Sequence, residues 1–198
     1  YQYLPLDTLL SFSKKNDDQI NILLAPNSQR FLIYHNDNFQ QYQNEFLTYK
    51  VFDNKLSLEY SKQITLPYKD KSFFISNYLL NDMGDVYLLA KVVDEDRKWK
   101  KGRPNFIYAV VNLSKNEKEY KKFDVNLGNR SISDIDFKIA QNGDMVVAGF
   151  YSNRARTEEE MGGLFYFRIE KTTKQVAGKV IRDFDNNFLS FPCWELIN

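Results

Sequence analysis

Two stretches of the chain repeat one phrase: LLNDMGDVYLLAKV (Leu79–Val92) and KIAQNGDMVVAGFY (Lys138–Tyr151), 59 residues apart. Each closes a polar turn on Gly-Asp and then runs into apolar and aromatic residues. The Gly-Asp pair sits where a tight turn needs a residue tolerant of positive φ, and glycine is the most tolerant because it has no Cβ to clash. Apolar runs also precede both turns, FFISNYLL (Phe73–Leu80) and ISDIDFKI (Ile132–Ile139). The pattern predicts a β-hairpin, written twice. Ile132, Ile135, Phe137 and Ile139 nearly hold the period of two of a half-buried strand.

The repeat runs on past the hairpin. The same offset pairs Phe106 with Phe165, Tyr108 with Phe167 and Val110 with Ile169, and it gives the polar loops Asp94–Asn105 and Asn153–Leu164 equal length. A further subtraction lands on Tyr49 and Val51, within EFLTYKVFDNKLSLEY (Glu45–Tyr60). An earlier, looser hairpin, NILLAPNSQRFLIYHND (Asn21–Asp37), has Pro and Asn where the others have Gly-Asp. Three units follow, approximately 20–67, 72–127 and 131–185, within a single domain spanning 1–198 and flanked by 1–19 and 186–198. Each unit is two hairpins, that is, four antiparallel strands. The predicted fold is all-β, either part of a β-propeller or an open propeller-like array. Composition agrees: 13 Tyr and 16 Phe against 8 Gly suit pleated sheets better than a helical bundle.

Propellers close with about four to eight blades. Three units therefore imply a piece of a longer array, flanks that cover the ends, or another sheet arrangement; we favour the first. Phe188, Leu189, Phe191 and Trp194 in the C-terminal flank have the character of an opening strand of a further blade. Exposed unit ends would otherwise pair between chains. The start at Tyr1 leads us to expect that an N-terminal piece has been removed.

With 27 basic and 26 acidic residues the formal charge is +1, so there is no net field to draw a polyanion, and nucleic acid is excluded as the expected partner. Cys193 is the single cysteine, which rules out an intrachain disulfide. No run reaches the roughly 18 consecutive apolar residues of a membrane span.

The run NGDMVVAGFYSN (Asn142–Asn153) followed by GGLFYFRIEKTTK (Gly162–Lys174) resembles uncharacterised exported bacterial proteins with propeller-like repeats. The resemblance covers about residues 45–190. It implies a repeat fold and a periplasmic or extracellular setting, and it implies no activity.

Candidate chemistry is sparse. His35 is the sole histidine and has no ligand-spaced partners, so it reads as a surface residue at a loop rim and no metal is expected. Cys193, among Phe, Pro and Trp, reads as a small buried apolar residue. Asp134 and Asp136 in SDID share a strand face, where paired carboxylates could serve acid–base work on a glycoside or form the wet side of a strand. Asp183, Asp185 and Asn187 alternate like the first ligands of a calcium loop, but Phe188 stands where that loop needs Gly, so a polar turn is the better reading. No phosphate loop, dinucleotide fingerprint or CxxC pair is present, and no cofactor is expected.

Suspicion falls on the two long loops. Trp99 with Arg97 and Arg103 could stack on a sugar or a partner side chain, and Arg154 and Arg156 could grip a carboxylate. The favoured expectation is a non-catalytic binding or scaffold module of the bacterial envelope, recognising protein or glycan through its rim loops. The alternative is a fragment of a carbohydrate-acting hydrolase using paired carboxylates.

Overall fold

The computed structural model describes residues 20–36, 42–93, 105–128, 130–152 and 161–185. Among them are twelve strands and one 3-10 turn, Asp70–Ser72. Strands β1 (Asn21–Leu24), β2 (Arg30–Asn36), β3 (Asn44–Asp53) and β4 (Leu58–Lys69) form the first sheet. Strands β5 (Phe73–Leu80), β6 (Val86–Val93), β7 (Phe106–Leu113) and β8 (Lys121–Val125) form the second, and β9 (Ser131–Ile139), β10 (Met145–Ser152), β11 (Gly163–Ile169) and β12 (Val176–Asp183) the third. Each sheet is an antiparallel meander whose spatial order is its chain order. The protein is all-β and built of three four-stranded units, as the doubled phrase predicts.

The hairpin turns form for the expected reason. Asn81 N–H donates to the Asp85 carbonyl at 3.0 Å and Gly84 N–H to the Asn81 carbonyl at 3.0 Å, closing a five-residue turn with Gly84 at φ +89°. Ala140 and Asp144 close the second turn in the same way, with Gly143 at φ +86°. In the first sheet the turn runs from Ala25 to Arg30, and Ser28 takes the positive φ of 56°.

Leu56 does the same in the turn between β3 and β4, at φ +66°. A branched side chain there crowds its own carbonyl, at a cost of about 1–2 kcal/mol, and Leu56 is largely exposed, so little burial offsets it. Leu56→Gly is therefore expected to stabilise the chain by about 0.5–1 kcal/mol after glycine's larger unfolded-state entropy is deducted. Thermal unfolding checks this; a lowered midpoint contradicts it.

The chain divides into two compact units, Tyr1–Val92 with Val111–Tyr120 and Val93–Val110 with Lys121–Asn198. In the first, Tyr34 of β2 stacks on Tyr78 of β5 with centroids 3.9 Å apart, and Val86 to Ala90 of β6 are all buried, so both faces of that strand are covered. In the second, β11 alternates: Gly163, Phe165, Phe167 and Ile169 are buried, while Leu164, Tyr166 and Arg168 are more open. Burying a Phe this completely contributes about 2–3 kcal/mol.

The imperfect period of β9 has a physical cause. Its ladder with β10 slips between Phe150 and Tyr151, where Phe150 faces Asp134 and Tyr151 faces Ile132. Ser133 is the bulged residue, and it returns Ile132 to the face of Ile135 and Phe137.

Candidate functional site

In a four-stranded meander, the turns joining strands one to two and three to four lie at one end of the sheet. The connection joining strands two to three lies at the other.

At the first end, the Asp of each Gly-Asp pair ties the two turns together. Asp85 is buried. Its Oδ1 accepts from the Ser114 hydroxyl at 2.9 Å and from Lys115 N–H at 3.0 Å, and its Oδ2 from the Asn81 amide at 3.2 Å. Asp144 repeats the pattern: Oδ1 accepts from Lys171 N–H at 3.1 Å, and Oδ2 from Arg168 at 2.8 Å and Asn142 at 2.9 Å. The Lys171 amide first, then the Arg168 guanidinium, holds the Asp144 carboxyl below the usual range. Gln29 takes the place in the first sheet, where its Oε1 accepts from the Asn54 amide at 2.7 Å.

These anchors correct the repeat register. They make Lys115 equivalent to Lys171, 56 residues on, and β7 and β11 end at Leu113 and Ile169 with the same offset. The third strands are therefore displaced by three residues from the 59-residue register, which mispairs Val110 with Ile169. The two long connections, 94–105 and 153–162, differ in length instead of matching. An odd slip would reverse an alternating pattern, but β7 is apolar throughout Phe106–Val111 and buried at consecutive positions from Ala109, so it has no alternation to set its phase; the carboxylate anchor does.

A charged staple accompanies the anchor in the first unit. Glu59 of β4 pairs with Arg30 at 2.8 Å and Lys115 at 2.7 Å, and these two contacts lower its pKa. The Tyr60 hydroxyl donates to the Gly84 carbonyl, and the Lys62 ammonium to the carbonyls of Ser114 and Glu117. Burial lowers the Lys62 pKa. Every charge here is taken up by another part of the fold, which describes a structural joint.

The other end carries the long connections. In the third sheet their base is built by residues that sequence reasoning did not single out as a group. The buried Tyr151, at the end of β10, donates its hydroxyl to Asp183 at 2.7 Å; burial and that carboxylate raise the phenol's pKa. Arg130 lies over the Tyr151 ring, 5.1 Å from its centroid, and reaches Asp183 at 3.4 Å. Gly162 N–H donates to the Tyr151 carbonyl at 2.6 Å and Phe184 N–H to the Gly162 carbonyl at 2.9 Å. Arg130, Tyr151 and Asp183 lie too far apart in the chain to form a motif. The one available signal was Asp183, read as a turn acid.

Arg97, Trp99, Arg103, Arg154 and Arg156 lie outside the described residues, as do Cys193, Asn187 and Phe188. Of the strands flanking the five binding candidates, β6 ends at Val93 and β7 begins at Phe106, and β10 ends at Ser152 and β11 begins at Gly163, all at the two-to-three end of their sheets. His35 lies within β2 opposite Thr48, half-buried, and not on a loop rim. Asp134 and Asp136 are exposed on β9, the edge strand of its sheet, and each carboxylate accepts from the amide of the next residue. Among the described residues no group of three or more His, Cys, Asp or Glu could hold a metal ion, and no helix is long and apolar enough to cross a membrane. Compared with protein-family models, curated proteins and solved structures, the chain matches none.

Proposed function

We propose that this chain is a non-catalytic binding or scaffold module of the bacterial envelope, built as propeller-like blades, which takes a protein or a glycan on its two-to-three connections. The supporting observation is the asymmetry of the sheets. One end of the second and third sheets is closed by short turns anchored through Asp85 and Asp144, while the other carries connections 94–105 and 153–162. Hairpin loops ordinarily need about two to five residues. Chain length beyond that, mounted on a rigid sheet, is where binding residues are usually found. The sequence of those connections supplies one Trp and several Arg, which suit sugar stacking and carboxylate pairing. The envelope setting rests on the resemblance to exported repeat proteins.

The test is binding of the parent chain to an array of cell-envelope glycan fragments and to solubilised envelope proteins. Two variants accompany it, Arg97→Ala/Trp99→Ala/Arg103→Ala and Arg154→Ala/Arg156→Ala. At least one variant is expected to lose affinity by about tenfold or more, with the unfolding midpoint unchanged. A parent that binds nothing, or variants that bind as the parent does, would reject the reading.

A further inference from the structure

Asp134 and Asp136 have a different task, visible in the backbone. Ile135 N–H donates to Asp134 Oδ1 at 2.9 Å and Phe137 N–H to Asp136 Oδ1 at 2.8 Å. β9 pairs with β10 on one side and is the edge of its sheet on the other. The Asp134 carbonyl oxygen lies against Gly149 of β10, and in a trans peptide the next N–H points the opposite way. The Ile135 amide therefore faces the open edge, and Phe137, two residues on, faces it too. Each of these two outward donors is covered by the carboxylate of the residue before it.

The device recurs. In β5, the corresponding edge of the second sheet, Tyr78 N–H donates to Asn77 Oδ1 at 2.9 Å. Asn77 stands 59 residues before Asp136, at the same place relative to the Gly-Asp turn. All three side chains are exposed, so none is held there by packing.

We propose that β9 is a strand-addition edge held shut by Asp134 and Asp136, and that a second copy of this chain is what it excludes. An open edge offers a row of unpaired amides to any extended strand. A nine-residue strand carrying Ile132, Ile135, Phe137 and Ile139 is long enough to pair antiparallel with itself across a two-fold axis, which needs no surface other than β9. The two carboxylates occupy the two central donors that such a ladder would use, those of Ile135 and Phe137, and set like charges face to face across it.

Asp134→Ala/Asp136→Ala and Asp134→Asn/Asp136→Asn separate the cap from the charge, since the amide keeps the acceptor. Masses are read by light scattering over a concentration series, and exchange of the Ile135 and Phe137 amides by hydrogen-exchange NMR. The Ala variant is expected to form dimers or larger species at concentrations where the parent keeps its mass, and the Asn variant to keep the parent's mass. In a dilution where both stay dispersed, the two amides should exchange about three- to tenfold faster in the Ala variant than in the parent. The proposal is overturned if the Ala variant keeps the parent's mass, if Ala and Asn variants associate alike, or if the two amides exchange at the same rate in parent and Ala variant.

Discussion

Asp85→Ala is expected to lower stability by about 3 kcal/mol, with the unfolding midpoint falling by about 6–12 °C for a chain of this size. The reason is what the substitution leaves behind. Asp85 is buried, and its two oxygens receive the Ser114 hydroxyl, the Lys115 amide and the Asn81 side-chain amide. Removing the carboxylate strands three donors, two of them on the turn after β7, and a buried donor without an acceptor costs about 1–3 kcal/mol. Asp85→Asn retains one acceptor oxygen in place and should lose less than half as much. Asp144→Ala should also lose less, because Arg168 is partly exposed and can turn to water. Denaturant melts of the three variants read this directly. An Asp85→Ala protein that melts with the parent would mean that the recurring Asp is not what joins the two turns.

The repeated phrase made the sheet count and the turns legible because both depend on local chemistry. Gly84 and Gly143 sit at positive φ, as a tight turn requires, and alternation marks β11 and, allowing for its bulge, β9. What stayed hidden lies between residues distant in sequence. The Gly of each pair shapes its own turn, whereas the Asp reaches about 27–30 residues along the chain to a second one, and no local pattern signals that. The first unit shows why the repeat fades there: Gln29 and Asn54 perform the same joining with a neutral pair, so the function of the position survives while its residue type does not. Asp134 and Asp136 drew attention as an acid pair because spacing shows which residues share a face, but not that the strand lies at an edge. Asn77, which has no charge to notice, performs the same capping. The binding candidates stand out by residue type alone, Trp and Arg in long connections, and no alternation or turn chemistry in the sequence bears on them.

Gly163→Ala tests the base of the longer-loop end, and it should cost about 3 kcal/mol, at the upper range for an added methyl in a packed site. An alanine Cβ at that position would lie 2.6 Å from Tyr151 Cζ, and closer still to the Tyr151 hydroxyl and the Arg182 carbonyl oxygen. Neither neighbour can yield cheaply. The Arg182 carbonyl belongs to the backbone of β12, whose pairing with β11 runs through Gly163 opposite Asp183 and Leu164 opposite Arg182. Tyr151 is fully buried, and moving it breaks its hydrogen bond to Asp183. Gly178→Ala is the control: its nearest neighbour would be the Arg168 Cβ at 3.7 Å, ordinary contact, and it should change stability by less than about 0.5 kcal/mol. Combining Gly163→Ala with Tyr151→Phe removes the hydroxyl clash while leaving the ring and the carbonyl, so the double variant should lose about 1 kcal/mol less than the sum of the singles. If the two changes are additive instead, Tyr151 does not lie over Gly163. The connection that carries Arg154 and Arg156 would then lack the rigid footing that makes it a plausible place to bind.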